Sequence, residues 1–177
     1  MNLVTDLDAI QALSRERADA FEIMMYQLQY DDDLTDEDLD TLVNDIAAPI
    51  IAAIDCKTCG NCCRSLEVYL EDSDMPRLSQ GLLISIEEIE TRYISRDVLA
   101  DADVDRKFAH KPCSFLQGTV CGIYEHRPQA CRDYPFVTPD FRWSLEQLIP
   151  GAAICPIIYN TLVAVEAITD DITTGRC

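Results

Sequence analysis

Four cysteines in eight residues, Cys56-Lys57-Thr58-Cys59-Gly60-Asn61-Cys62-Cys63, constrain this chain more than any other feature. Five more follow at Cys113, Cys121, Cys131, Cys155 and Cys177. A C-x-x-C step puts two sulfurs within reach of one metal ion, and repeating it adds a third sulfur to the same turn. Adjacent Cys62 and Cys63 are expected to point apart, so that one of them serves a second metal or another edge of a larger cluster. Gly60 lets the backbone bend around an ion without a Cβ in the way.

With 177 residues the chain can bury a hydrophobic core of its own, so the cysteines are not needed to rescue a fold too small to stand alone. Nine cysteines in that length lie below the density of about 8–10% that marks disulfide-rich secreted modules. The first residues, Met1 to Asp8, have neither the basic nor the apolar region of a secretory signal. No run approaches the ~20 apolar residues that span a bilayer. The expectation is a cytoplasmic protein with no membrane partner, where thiols stay reduced and a cysteine cluster binds metal or works in catalysis.

A net charge of −18 argues against nucleic acid as a partner, because a phosphate-tracking surface needs a basic stripe. Residues 1–55 carry 14 acidic side chains against only Arg15 and Arg17, an acidic surface expected either to steer a basic protein partner through the N-terminal helices or simply to serve solubility. The cysteine-bearing stretches differ. Residues 56–66 hold Lys57 and Arg64 with no acid, and residues 104–142 hold six basic side chains against four acidic ones. Neighbouring cations lower thiol pKa and favour the thiolate, which is the form that ligates metal.

Hydrophobic spacing predicts one amphipathic helix over the first thirty residues, capped by Thr5, with Leu7, Ile10, Phe21, Met24 and Leu28 on its apolar face. A second helix starts at Thr35 and carries Leu39, Leu42, Val43, Ile46 and Ile50, with acids in its first turn and a kink or restart at Pro49. After the cysteine cluster, residues 66–70 alternate as a short strand, Met75 to Leu78 make a helical turn, and Ser85 caps a further helix. Val104 to Ala109 form an extended run. Ser114 to Leu116 and Thr119 to Tyr124 flank Gln117-Gly118 as a hairpin bearing Cys113 and Cys121. Pro128 opens a short helix with Cys131 and Arg132, and Cys155-Pro156 precedes an apolar helix destined for the core. The fold class is therefore mainly α with a small β-hairpin or short sheet. An acidic helical part, residues 1–50, precedes a compact metal-centred cysteine domain, residues 51–177.

On spacing alone, Cys56, Cys59 and Cys62 have the three-ligand pattern of bacterial ferredoxins, whose remaining cysteine precedes a proline as Cys155 does. Cys63, Cys113, Cys121 and Cys131 then form a second set of four, enough for tetrahedral zinc or another iron site. Zinc in both sites, or one polynuclear cluster, fits the same count.

The chain resembles the YkgJ-like cysteine cluster proteins, named for a CxxCxxCC signature and associated with zinc or iron chelation. The resemblance runs through Cys56 to Cys63, Cys113-Ser-Phe115-Leu116, Cys121-Gly-Ile123-Tyr124, Arg127-Pro128-x-x-Cys131-Arg132-Asp133-Tyr134-Pro135-Phe136 and Cys155-Pro156. It implies that the eight cysteines from Cys56 to Cys155 are the ligands of a zinc, iron or iron–sulfur centre. Residues 1–50 lie outside it, and Cys177 is left as a spare thiol. Tyr124, Arg127, Arg132 and Asp133 do not ligate soft metals. The two arginines are donors suited to cluster sulfurs, with Asp133 orienting one of them. With eight cysteines present, His110 and His126 are not required as ligands.

The reading is a metal-binding protein. Its alternatives are an enzyme of protein modification, since flagellin lysine N-methylases look similar in this motif, and an iron–sulfur electron-transfer or sensor module. No G-x-G-x-x-G follows a predicted strand, so a separate nucleotide-binding domain is not expected.

Overall fold

The computed structural model describes residues 2–97 and 105–173. Val104 and Cys177 lie outside the described residues. In chain order the elements are α1 (Leu7–Glu16), α2 (Ala18–Gln29), α3 (Asp36–Ala53), α4 (Cys56–Cys59), α5 (Asn61–Ser65), α6 (Asp74–Leu82) and α7 (Ile86–Tyr93). Strands β1 (Ile94–Arg96), β2 (Arg106–Phe108), β3 (Leu116–Gln117) and β4 (Val120–Cys121) follow. A 3-10 turn (Tyr124–His126), α8 (Gln129–Asp133), α9 (Phe141–Gly151) and α10 (Pro156–Thr173) complete the chain. The class is mainly α with two small antiparallel two-stranded sheets, as the sequence predicts.

The chain forms two compact units. Residues 1–55 join residues 135–177 in the first, and residues 56–134 make the second. A boundary near residue 50 divides the chain once, whereas its contacts divide it twice, because apolar α10 packs on α2 and α3.

In the first unit, Phe21, Met24 and Leu28 of α2, Leu39, Val43 and Ile50 of α3, Phe141 and Leu145 of α9, and Ile157, Leu162 and Val165 of α10 are all buried. Each such side chain contributes roughly 1.5–3 kcal/mol relative to exposure. The predicted single N-terminal helix is two helices, since Arg17 leaves helical geometry at φ −97°, ψ 3°. Its cap is Asp6 rather than Thr5, the Asp6 carboxylate accepting the Ala9 N–H at 2.8 Å. Thr35 caps α3 as expected, accepting the Asp38 N–H at 3.1 Å. That helix then continues through Pro49 without restarting. The ring sits on the exposed side, where the missing N–H leaves a carbonyl that water can reach.

Helix α9 has no counterpart among the predicted elements. Asp40 of α3 builds its start by accepting the N–H groups of Asp140 at 2.7 Å and Phe141 at 2.9 Å. Arg142, buried on its first turn, donates to the carbonyls of Leu28, Asp31 and Leu34 and pairs with Asp36 at 2.6 Å. One guanidinium thereby satisfies the acidic loop between α2 and α3.

The second unit has a small core of Leu70, Met75, Leu78, Ile89, Phe115 and Ile123, with Cys113 and Cys121 partly buried against it. Phe115 packs tilted against Tyr93 and edge-to-face with Phe108, with ring centroids 4.9 and 5.3 Å apart. Ser85 caps α7 through the Glu88 N–H. The predicted strand over residues 66–70 is reduced to a single bridge, Tyr69 to Lys107, beside β2. β2 takes its full antiparallel partner from β1 instead, pairing Ile94 with Phe108 and Arg96 with Arg106. β3 and β4 form the expected hairpin, with Gly118 at φ +65° in the turn.

Candidate metal centre

The CxxCxxCC segment folds as two short helices, α4 with Cys56 and Cys59 and α5 with Cys62 and Cys63, hinged at Gly60. Gly60 is left-handed at φ +61°, a conformation that penalises any side chain. A Cβ there would meet the Thr119 carbonyl oxygen at 2.7 Å, so the glycine also admits the hairpin turn. Arg64 fastens the same approach, donating to the Cys59 carbonyl at 3.0 Å and to the Gly118 carbonyl at 2.9 Å. The Cys113 N–H donates to the Cys63 carbonyl at 2.8 Å, which sets those two cysteines side by side. Cys121 lies on β4 opposite Leu116.

Cys131 arrives on α8. The buried Asp74 carboxylate holds the start of that helix by accepting the Gln129 N–H at 2.8 Å, and its other oxygen accepts the Glu71 N–H at 3.0 Å. Gly81 of α6 presses against His126, where a Cβ would stand 2.6 Å from the imidazole, so this histidine is a packing residue. His110 is exposed.

Five of the thiols interact through their charges: Cys62, Cys63, Cys113, Cys121 and Cys131. Cys62 and Cys63 do not diverge as expected. The Cys62 thiol donates to the Cys63 sulfur, which raises its own pKa and lowers that of Cys63 to about 6, with Arg64 and Arg127 adding to the second effect. Burial pushes Cys131 up to about 12 and raises Cys113 and Cys121 as well. The Cys63 thiolate is thus favoured beside thiols whose pKa values are raised, and a cation must deprotonate each of those it binds.

Cys59 is half-buried and Cys56 exposed, both on α4. Cys155 belongs to the first unit, buried at the head of α10, where its carbonyl accepts the Tyr159 N–H at 2.9 Å. None of the eight is in a disulfide. Among the described residues, no three His, Cys, Asp or Glu side chains stand grouped as around an ion.

Residues 55–156 match the family described as "Putative zinc- or iron-chelating domain", CxxCxxCC. The chain belongs to the CxxCxxCC family. No curated protein and no solved structure matches it. The CxxCxxCC match runs from the residue before Cys56 to the residue after Cys155, so it spans all eight cysteines discussed above. No described helix is long and apolar enough to cross a membrane.

Two observations in the CxxCxxCC unit fit a cation held by sulfur. The donor set is soft, with charge interactions among five of its thiols, and the Nε of Arg127 is buried without a hydrogen-bond partner. The guanidinium of Arg127 lies 3.6 Å from the Tyr124 ring centroid, and the Lys57 ammonium 4.7 Å from the same ring. Arg132 serves the backbone, with its Nε donating to the Arg127 carbonyl at 2.9 Å. Asp133, predicted to orient an arginine, accepts the Gln129 amide at 2.7 Å, its neighbour one helical turn back.

Asp74 and Arg64 were not among the predicted site residues. Arg64 carries a signal, being the one cation directly after the cluster. Asp74 reads as an ordinary first-turn acid, and its partner on α8 lies 55 residues away.

Proposed function

We propose that the second unit chelates zinc or iron through thiolates drawn from Cys56, Cys59, Cys62, Cys63, Cys113, Cys121 and Cys131. The observation that carries this reading is the match of residues 55–156 to a zinc- or iron-chelating family, and the electrostatic influence of Cys63 on Cys62, Cys113, Cys121 and Cys131 supports it. Seven thiols exceed the four of a tetrahedral site, so the unit has sulfurs enough for a closed zinc centre or a four-cysteine iron–sulfur centre without Cys155. Bound zinc supplies a crosslink between chain segments, and bound iron adds one-electron chemistry.

The chain's own residues do the rest. Gly60 and Arg64 bring the hairpin turn to α4 and α5. Asp74 sets the position of α8, and the Cys63 thiolate offers a first ligand at neutral pH. The other thiols release protons as they ligate, and Arg127 offsets part of the negative charge that results. A reducing, cytoplasmic setting would keep these thiols available as ligands. Metal content of purified Cys63→Ser and Cys131→Ser chains tests the reading. Both are expected to lose at least half of the bound metal, and full retention in both contradicts it.

A further inference from the structure

Helix α2 is apolar on two sides. Its inner side chains, Phe21, Met24 and Leu28, are buried in the first unit. At 3.6 residues per turn, Ile23, Tyr26 and Tyr30 fall within about 60° of one another on the nearly opposite face, Tyr30 standing at the C-cap. They are 59%, 53% and 81% exposed. Apolar side chains scattered singly over a surface need no explanation, whereas three neighbours along one helix face make a patch of the kind that marks a protein contact.

The patch continues at one corner. Arg142 donates to the carbonyls of Leu28 and Asp31, on either side of Tyr30, so the start of α9 abuts the end of α2. The next residue, Trp143, is 56% exposed, its indole N–H donating to the Asp36 carboxylate at 3.1 Å. Tyrosine and tryptophan are the side chains that most often anchor protein interfaces.

Charge decides what can cover this face. The first unit holds 19 acidic side chains against four arginines and no lysine. Of those arginines, Arg142 is buried and Arg17 pairs with Glu166 at 2.6 Å. Exposed Asp19 and Glu22 border the stripe at one end, and exposed Asp32 and Asp33 follow the other. A second copy of the chain would set like charge against like, and an anionic lipid surface or a nucleic acid is repelled in the same way. From Ile23 to Tyr30 the stripe is about 10 Å long, which two turns of a partner helix cover.

We propose that the outer face of α2, with Trp143 beside it, docks a basic amphipathic helix of a partner protein, whose apolar side chains meet Ile23, Tyr26 and Tyr30 and whose lysines or arginines meet the acidic rim.

The test uses the full chain and two labelled peptides of about 18 residues, long enough to form helix. One carries leucine along one face and lysine along its flanks; in the other every leucine is glutamine and the charge is the same. Fluorescence anisotropy reads their binding to the wild-type chain, to the double variant Tyr26→Gln/Tyr30→Gln and to Ile23→Gln, none of which alters the charge. The leucine peptide is expected to bind the wild-type chain about tenfold more tightly than the glutamine peptide, and the double variant to lose about tenfold or more, the scale of lost interface anchors. Raising the salt should weaken the complex. Thermal unfolding reports on the fold, and Ile23→Gln decides the matter if the double variant is unstable. No binding of the leucine peptide, equal binding of both peptides, or wild-type affinity in the folded variants overturns the proposal. So does a dimer of the chain in sedimentation velocity that the double variant abolishes, which assigns the face to a second copy.

Discussion

The carboxylate of Asp74, 2% exposed, accepts the Gln129 N–H at 2.8 Å and so binds the start of the helix that carries Cys131 to a residue far back in the chain. Its second oxygen accepts the Glu71 N–H at 3.0 Å, ahead of α6. One carboxylate thereby joins two helix starts, and the thiol at position 131 depends on an acid that touches no sulfur. Asp74→Ala removes both acceptors. It is expected to cost about 2–3 kcal/mol in urea unfolding, the scale of hydrogen bonds to a charged group. Asp74→Asn keeps one acceptor oxygen and should lose about half of that. A wild-type unfolding midpoint in Asp74→Ala would remove this linkage from the account.

Gly60 and Gly118 make a matched pair. Both have positive φ, but a Cβ at Gly60 meets the Thr119 carbonyl oxygen at 2.7 Å, whereas one at Gly118 has nothing within 4 Å. Gly118→Ala should therefore show left-handed strain alone, about 1 kcal/mol. Gly60→Ala adds a backbone collision that pushes the hairpin from the cysteine segment, and about 2–3 kcal/mol or more is expected. Thermal unfolding of the two variants gives the comparison, and equal losses would show that the close approach of Thr119 is unimportant.

Cys63 should be the most reactive thiol of the metal-free chain near neutral pH. Its pKa is lowered to about 6, first by the hydrogen bond from the Cys62 thiol. Lowering favours the thiolate, so alkylation of Cys63 is expected to rise through pH ~6 and level off above it. Cys131, pushed up to about 12 by burial, should remain slow throughout that range. Cys62→Ala removes the donor and should move the Cys63 midpoint upward. Peptide mapping after brief iodoacetamide treatment at a series of pH values reads all three, and an unchanged midpoint in Cys62→Ala would sink the hydrogen-bond explanation.

What was legible in the sequence is local chemistry. Thr35 and Ser85 cap their helices through N–H groups three residues ahead, so composition over a single turn identifies them. The hairpin is announced by Gly118 between extended runs. The cap at Asp6 was missed because Thr5 and Asp6 are both able caps, and only the backbone decides between them. Helix α9 was hidden for a different reason. Its first N–H groups are satisfied by Asp40, 100 residues earlier, and its buried Arg142 looks like a surface residue until the carbonyls it serves are known. The pairing of Ile94–Arg96 with Arg106–Phe108 is likewise non-local.

The site divides in the same way. The family was legible in the CxxCxxCC signature and the motifs that follow it, because C-x-x-C geometry is contained within one turn. The hydrogen bond between Cys62 and Cys63, the tie from Arg64 to Gly118 and the role of Asp74 depend on contacts that spacing does not encode.

Chelation itself is tested most directly by elemental analysis and a visible absorption spectrum on full-length chain purified without oxygen. The expected result is zinc or iron in stoichiometric amount. A colourless protein would hold zinc, and a brown one that bleaches on reduction would hold an iron–sulfur centre. Chain that is folded, fully reduced and free of both metals, and that takes up neither when offered it, would contradict the account.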